Sequence, residues 1–167
     1  MRSNSEPIAR HYYNDGTVEN YLLKEKITEF DSTRSFYVFS VIPMGAVRMT
    51  QSDRWKTDPN HFDVKKRQRM AVFNYFNFKN ILQLQAKELG YVLGDSLDAV
   101  FFIPMPKTWS DKKKREMSGT ICKQKPDIDN LVKSVCDTLK KEDKDVWFVK
   151  AEKRWSYKGC ILIYKTA

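Results

Sequence analysis

Residues 125–139 contain side chains of the kinds that enzymes use to cleave phosphate esters. Asp127 and Asp129 lie two residues apart directly after Pro126, and Lys133 follows Asp129 by four residues. Carboxylate oxygens are the ligands that hard divalent cations such as Mg²⁺ prefer. A lysine ammonium one helical turn below can offset negative charge that develops on a phosphate. These three side chains therefore indicate metal-assisted phosphoryl chemistry.

The same segment is predicted to form a helix over 128–141. Pro126 disfavours helical backbone at the residue before it, so the helix begins between Asp127 and Asp129. Two residues apart inside a helix, side chains point about 160° away from each other, but a residue just ahead of the first turn can converge with one inside it. The helix dipole also favours ionised carboxylates at this end. Apolar residues recur at helical spacing and form a stripe that faces the core: Ile128, Leu131, Val132, Val135 and Leu139.

An ordinary structural explanation is also open for these residues. Asp127 can cap the N-terminus of the helix, and Asp129 can form a surface ion pair with Lys133 one turn later. Such an exposed pair contributes only about 0.3–0.5 kcal/mol to stability. Spacing alone does not decide between this explanation and a catalytic one, so the surrounding sequence has to be considered.

A longer motif favours the catalytic explanation. The segment Pro126–Leu139 resembles the signature PDxDNLxKxxxDxL of the RusA family of Holliday junction resolvases, which fixes eight of fourteen positions. Two upstream segments are similar as well: Ile103–Arg115 resembles a strand and a PxSWSxKKR loop of the family, and residues 42–48 resemble its first strand and basic loop. Downstream, Glu152–Trp155 resembles the strand after its second acidic cluster. The resemblance covers roughly residues 36–165.

The resemblance implies a homodimeric, Mg²⁺-dependent endonuclease that resolves four-way (Holliday) DNA junctions by paired symmetric nicks in recombination and repair. Mn²⁺ is implied as a substitute for Mg²⁺. Carried onto this sequence, Asp127 and Asp129 correspond to the paired catalytic metal ligands, and Lys133 corresponds to the catalytic lysine. Asp137 also lies in the motif, and both a structural and a catalytic role stay open for it.

The resemblance also implies a third carboxylate, catalytic and metal-binding, from an Asp-Asp pair just before the penultimate strand. The corresponding sequence here is EDKD at 142–145. Alignment back from residues 153–154 favours Asp143, with Asp145 and Glu142 as alternatives. The pair is Glu-Asp instead of Asp-Asp, and the preceding loop is several residues shorter than in the family. The third ligand is therefore the part of the site that departs from the family pattern.

A basic connector, residues 107–125, leads into the acidic segment. It holds seven basic and two acidic residues, a net charge of +5. Ser110 is expected to cap a short helix that ends near Gly119. Although a solvated lysine-rich turn is the alternative, we expect these side chains to bind DNA backbone phosphates without reading base sequence. The predicted DNA-binding residues are Lys107, Lys112, Lys113, Lys114, Arg115, Lys123, Lys125 and, outside the connector, Arg48.

The composition agrees with an enzyme of nucleic acids and excludes several other classes. The 167 residues carry a formal net charge of +9, which indicates a polyanionic partner such as nucleic acid. No apolar run approaches the ~20 residues that cross a bilayer, and no secretory signal opens the chain. We therefore expect a cytoplasmic protein without membrane partners, and the resemblance implies a bacterial or phage origin. Three cysteines without a CxxC spacing and two histidines leave the chemistry to carboxylates and lysine.

These side chains must be positioned by an α+β domain with a mixed sheet of about four strands and two main helices in the order β-α-β-α-β-β, as in a RusA-like fold. Aromatic and β-branched runs predict the strands, and Pro-free amphipathic stretches predict the helices. The long first helix favours a parallel strand pair around it, and the last two strands are expected to form a hairpin. The predicted elements are strands at 36–42, 97–103, about 146–155 and 160–164, and helices at about 62–89 and 128–141.

The domain boundaries follow from the same pattern. Residues 1–33 are interpreted as an N-terminal extension of unknown role, and residues 34–167 as one RusA-like endonuclease domain. A non-catalytic protein that binds branched DNA remains the alternative function, because the basic residues fit it equally well. The retained Asp127, Asp129 and Lys133 argue against it, since phosphate binding alone gains nothing from added carboxylates. A nucleotide-sugar transferase is disfavoured because the sequence has no Gly-rich phosphate loop.

Overall fold

The computed structural model describes residues 34–51, 53, 69–140 and 142–166, with only the backbone of Asp143. The predicted N-terminal extension and the first part of the predicted long helix, residues 62–68, lie outside this range. The elements follow in the order β1 (Phe36–Phe39), α1 (Met70–Glu88), β2 (Ser96–Pro104), α2 (Asp111–Met117), α3 (Ile128–Leu139), a 3-10 turn (Asp143–Asp145), β3 (Phe148–Ser156) and β4 (Cys160–Tyr164). The predicted α+β domain with a mixed four-stranded sheet is confirmed, and α2 is the short helix expected in the basic connector.

The strand order corrects two details of the predicted topology. Within the described residues the sheet runs β1-β4-β2-β3, with β2 parallel to β3 and with β4 antiparallel to both β1 and β2. The predicted hairpin of β3 and β4 is wrong because β2 lies between them. The strands joined through α1, which are β1 and β2, share a direction but are separated by β4, so they are not the predicted parallel pair.

The burial of the last two strands explains this order. All five residues of β4 are buried, as expected for a central strand whose two faces are both covered. β3 is exposed along its first three residues and half-buried along the next four, as expected for a strand near the edge. A local turn between two strands does not reveal which neighbours they pair with, and the apolar CILIY run was the available indication that β4 is central.

One face of the sheet packs against α1 and α3 and forms the main core. Strand residues Phe39, Leu97, Phe101 and Ile161 meet Phe78 and Leu82 of α1 and Leu131 and Val135 of α3. Three residues of the predicted α3 stripe depart from it, because Ile128 is exposed and Val132 and Leu139 are only half-buried. α3 ends at Leu139, two residues earlier than predicted. Since α3 is held against the sheet by this core, its first turn has a defined place in the fold.

The opposite face of the sheet forms a second cluster around Val100, Phe102 and Leu162. Asp98 of β2 is buried there, and its carboxylate accepts a hydrogen bond from Arg34 Nη1 at 2.7 Å. The Arg34 guanidinium also lies 4.3 Å from the centre of the Tyr164 ring.

None of the described helices has the length and hydropathy of a membrane span.

A buried carboxylate ties the segment after β1 to the start of α1. The Asp53 carboxylate accepts hydrogen bonds from Thr50 N at 2.9 Å, from Arg69 Nε at 3.0 Å and from Arg69 Nη2 at 2.5 Å. The backbone N–H of Asp53 donates in return to Thr50 Oγ1 at 3.3 Å, the reciprocal pattern of a capping box. Arg69 Nη2 also donates to the Arg48 carbonyl at 3.2 Å. The backbone of Arg48 is thereby fixed relative to α1.

This cluster predicts an acid-sensitive contribution to stability. The hydrogen bonds from Arg69 and Thr50 hold the pKa of Asp53 well below its usual value. The ionised carboxylate therefore stabilises the fold fully above the unfolded-state pKa of about 3.9. That contribution is lost as the pH falls below about 4 toward the folded-state pKa. We expect the free energy of unfolding, measured by urea titration between pH 7 and pH 3, to decrease less steeply for Asp53→Asn than for wild type.

The matched control is Glu88→Gln, which removes an exposed carboxylate from the last residue of α1. It should keep the wild-type pH dependence of unfolding. Equal slopes for wild type and Asp53→Asn would contradict the predicted role of the buried carboxylate.

Candidate active site

Asp127 and Asp129 lie at the start of α3, as the sequence predicts. Asp127 occupies the N-cap position with extended backbone, φ −68° and ψ 145°, and its carbonyl accepts the first helical hydrogen bond from Leu131 N at 3.1 Å. Asp129 is in the first helical turn. Both carboxylates are exposed, and they stand at the end of the helix where the dipole favours negative charge.

These carboxylates are not used by the fold. Among the described residues, neither they nor the Lys133 ammonium has a hydrogen-bond or ion-pair partner, and Asp127 makes no side-chain capping bond. Some other acidic groups of the fold are paired, such as Asp98 with Arg34 and Glu152 with Arg154 at 2.8 Å, whereas the exposed Glu88 and Asp95 have no ion pair within the described part. The ordinary explanation, an N-cap and a surface ion pair, is therefore not what these three side chains do.

The backbone just before α3 is held by the sheet. Lys153 of β3 donates from Nζ to the carbonyls of Gln124 and Pro126, both at 2.6 Å. Residues 119–122 pair with the outer side of β3, where Cys122 N donates to Lys153 O at 3.0 Å and Trp155 N donates to Thr120 O at 2.9 Å. These bonds fix the place at which the chain enters α3, and with it the position of Asp127.

The segment after β1 lies against the other side of the α3 start. Ala46 N donates to the carbonyl of Asn130 at 3.1 Å. Gly45 lies close to α3, because a Cβ atom there would be 3.4 Å from the Cβ atoms of both Pro126 and Asn130. Together with the Arg69 contact to Arg48, this packing brings residues 46–49 alongside α3.

The result is a cleft of about 600 Å³ next to the acidic start of α3. It brings together Arg48 and Lys133, which the sequence predicted from two separate segments. Two further cations, Lys79 and Lys140, also line it, and sequence reasoning missed both. Lys79 is one of several polar residues on α1, and only the packing of that helix shows that it faces α3. The full lining is Ala46, Val47, Arg48, Met49, Tyr75, Lys79, Asn130, Lys133, Asp137 and Lys140.

The cleft also contains Tyr75 and Asp137, and the charge of Asp137 acts on the Tyr75 hydroxyl. Burial raises the pKa of the Tyr75 hydroxyl, and the negative charge of nearby Asp137 raises it further. Lys79 Nζ lies 5.8 Å from the centre of the Tyr75 ring, within the range of a cation–π contact. Asp137 of the motif is thus placed in the cleft, where it reduces but does not cancel the charge of the four cations.

The third carboxylate is not located by the described side chains. Glu142 forms an ion pair with Lys144 at 2.5 Å, and Asp145 is exposed. The side chain of Asp143 lies outside the described part. Among the described side chains, no group of three or more Asp, Glu, His or Cys residues is arranged to hold a metal ion. Neither Glu142 nor Asp145 therefore joins Asp127 and Asp129 in this conformation, and Asp143 stays a prediction.

The basic connector forms the expected capped helix. Ser110 Oγ accepts from Lys113 N at 3.3 Å, and Gly119 follows the helix with a φ of 78°, which glycine tolerates best. Trp109 packs against Trp155, with ring centres 5.1 Å apart, so it anchors the connector to the core. Lys114 is half-buried, while the other predicted contacts are exposed: Lys107, Lys112, Lys113, Arg115, Lys123, Lys125 and Arg48.

Comparison with known proteins identifies the family of this chain. The family model described as Endodeoxyribonuclease RusA matches residues 52–163, which is more than half of the chain and includes Asp127, Asp129 and Lys133. Neither a curated protein nor a solved structure matches significantly. The match confirms the resemblance seen in the motif. The chain therefore belongs to the RusA endodeoxyribonuclease family, whose members are Holliday junction resolvases.

Proposed function

We propose that the chain resolves four-way DNA junctions by Mg²⁺-dependent hydrolysis at the start of α3, with Mn²⁺ as a substitute metal. The observation that carries this proposal is the set of three exposed groups, Asp127, Asp129 and Lys133, that lack partners among the described residues. Because no described side chain pairs with these two carboxylates, both are available to bind a cation. The natural setting is DNA recombination and repair in a bacterial cytoplasm, in a host or phage context.

The donor set fits a hard cation. Asp127 and Asp129 offer oxygen ligands, and neither carboxylate has to break a protein contact within the described part in order to bind metal. Bound Mg²⁺ supplies an activated water and neutralises a non-bridging phosphate oxygen. Asp127 and Asp129 hold the cation, with Asp143 as the third ligand, and the Lys133 ammonium stabilises the charge that develops on the phosphate or on the leaving oxygen.

The basic connector supports DNA binding that does not depend on base sequence. Its exposed lysines and arginine lie in the turn before α2, on α2 itself and in the irregular segment that leads into α3. Contacts of this kind position the backbone of a duplex and carry no sequence information. We propose that the seven basic residues of the connector and Arg48 hold the arms of the junction around the acidic centre.

Both aspartates at the start of α3 should be needed for cleavage. We expect Asp127→Asn and Asp129→Asn each to lower Mg²⁺-dependent cleavage of a synthetic four-way junction by about 10²–10³-fold, because each removes a charge that holds the metal in the transition state. Junction binding measured in EDTA should remain. Asp95→Asn, an exposed carboxylate before β2, is the control and should cleave at the wild-type rate.

Two outcomes would contradict this part of the proposal. Full Mg²⁺-dependent cleavage by either aspartate variant would show that the metal is held elsewhere. Tight binding of the junction by wild type without cleavage, with or without Mg²⁺, would instead support a non-catalytic binding protein.

Three variants test which carboxylate is the third metal ligand. Asp143→Asn, Asp145→Asn and Glu142→Gln remove neighbouring carboxylates one at a time. Because three ligands hold the metal more tightly than two, we expect Asp143→Asn alone to raise the Mg²⁺ concentration that gives half-maximal cleavage, by ten-fold or more. A comparable shift in either of the other two variants, with none in Asp143→Asn, would move the assignment to that residue.

The homodimer is supported by the outer face of α1. Met70, Phe73, Ile81 and Leu84 are between 44 % and 70 % exposed, although all four are large apolar residues. Their spacing places them on one stripe of the helix, opposite the residues that pack on the sheet. Exposed apolar side chains that share one side of a helix mark a candidate protein interface, although Asn77 lies between the two pairs here. We propose that the stripe meets a second copy of the chain, so that two sites related by a two-fold axis face the two strands that are nicked.

The corresponding prediction is that Ile81→Glu combined with Leu84→Glu gives a folded monomer. The double variant would place four carboxylates in one isologous interface, so repulsion and desolvation both oppose association. Mass should be measured by analytical ultracentrifugation and folding by circular dichroism. Val92→Glu, which adds a charge at a residue that is 84 % exposed, should leave the mass unchanged. A dimeric double variant would rule out this face as the interface.

A further inference from the structure

We propose that the cleft beside α3 is a groove for the DNA strand next to the scissile phosphate, and that Lys79 and Lys140 are backbone-binding residues of it. This inference rests on the proposed function, since it concerns the same substrate. Neither lysine belongs to the basic connector, and Lys140 lies just beyond the motif Pro126–Leu139.

The charge of the cleft is the first argument. Arg48, Lys79, Lys133 and Lys140 line it together with a single carboxylate, Asp137. None of the four cations forms an ion pair with a described carboxylate. A concave surface lined by unneutralised charge of one sign focuses the potential and attracts ions of the opposite sign. The formal surplus of three positive charges therefore favours a polyanion over a single small anion.

The positions of the two lysines are the second argument. Lys140 Nζ donates to the Gly94 carbonyl at 2.7 Å, which orients the side chain but leaves two of its three donor hydrogens for a ligand. Lys79 Nζ lies over the face of the Tyr75 ring, 5.8 Å from its centre. Both ammonium groups are thus restricted by contacts that do not neutralise them, so less conformational entropy is lost when they bind a phosphate.

The shape of the cleft is the third argument. Its α3 wall is formed by Asn130, Lys133, Asp137 and Lys140, which follow one another at intervals of three or four residues. Ten residues of helix extend about 15 Å. One DNA strand carries a phosphate every ~3.4 Å of helix axis, so this wall runs beside about four of them. Since Asp129 lies at one end of the wall, a strand cut there would continue along the cleft.

The experiment measures junction binding as a function of salt. Lys79→Gln and Lys140→Gln are made in the Asp129→Asn background, and affinity for a fluorescent four-way junction is measured in EDTA between 50 and 200 mM NaCl. Each lost phosphate contact should reduce the slope of log K against log [NaCl] by about 0.9. Lys165→Gln, an exposed lysine that follows β4, is the charge-matched control and should keep the full slope.

A kinetic readout in the otherwise wild-type enzyme separates binding from chemistry. Removal of contacts that are equal in the ground and transition states should raise KM and leave kcat unchanged. Lys79→Arg and Lys140→Arg retain the charge, so they should keep the salt slope and KM of the unsubstituted protein. Loss of binding in the Gln and the Arg variants alike would indicate a structural role and overturn the inference.

Failure of this inference is distinguishable from failure of the proposed function. Suppose that the wild-type protein cleaves the junction, but that Lys79→Gln and Lys140→Gln have the same salt slope and KM as the control Lys165→Gln. The DNA strand then does not follow the cleft. A fall in kcat with an unchanged slope would overturn the inference as well. If the wild-type protein neither binds nor cleaves the junction, the proposed function itself is wrong, and the groove with it.

Discussion

Lys153 of the sheet holds the backbone from which the candidate site begins. Its Nζ atom donates to two backbone carbonyls just before α3, those of Gln124 and Pro126, both at 2.6 Å. Hydrogen bonds from a charged donor are roughly twice as strong as those between neutral groups. They hold the backbone at the start of α3, so the Asp127 side chain is not needed as a cap. The two carboxylates proposed to bind metal can therefore stay unpaired without loss of a defined helix start.

Most elements of the fold are predictable because their local signals are strong. Pro126 ahead of an amphipathic run marks the start of α3, and the aromatic and β-branched run of β2 marks a strand within one residue at each end. The neighbours of each strand are not predictable in the same way. Whether β4 pairs with β3 or is inserted between β1 and β2 depends on which arrangement buries both faces of Cys160–Tyr164, and that is a property of the assembled sheet.

The residues of the candidate site also differ in whether local sequence or tertiary packing brings them together. Asp127, Asp129 and Lys133 lie within seven residues, so their motif and one helix are enough to relate them to one another. Lys79 enters the cleft only because α1 packs beside α3. The Asp53 carboxylate acts through Arg69 across sixteen residues of sequence, and no local pattern indicates that pairing. The third carboxylate stays a prediction, because the resemblance places it after α3 in a loop that is shorter than in the family and gives no exact register.

The proposed site places two negative carboxylates next to a negatively charged substrate. Carboxylates repel the phosphate that they help to cleave, by about 1 kcal/mol at 4 Å in water and about 4 kcal/mol where the effective dielectric constant is near 20. Asp127 and Asp129 are exposed, so the repulsion lies toward the lower value, and a bound cation reverses its sign. Lys133 lies one turn away from Asp129. The basic cleft and the basic connector lie beyond it, and their positive charge favours approach of the DNA backbone. On the proposed function, the basic surplus of the chain offsets the repulsion between this acidic centre and the DNA backbone.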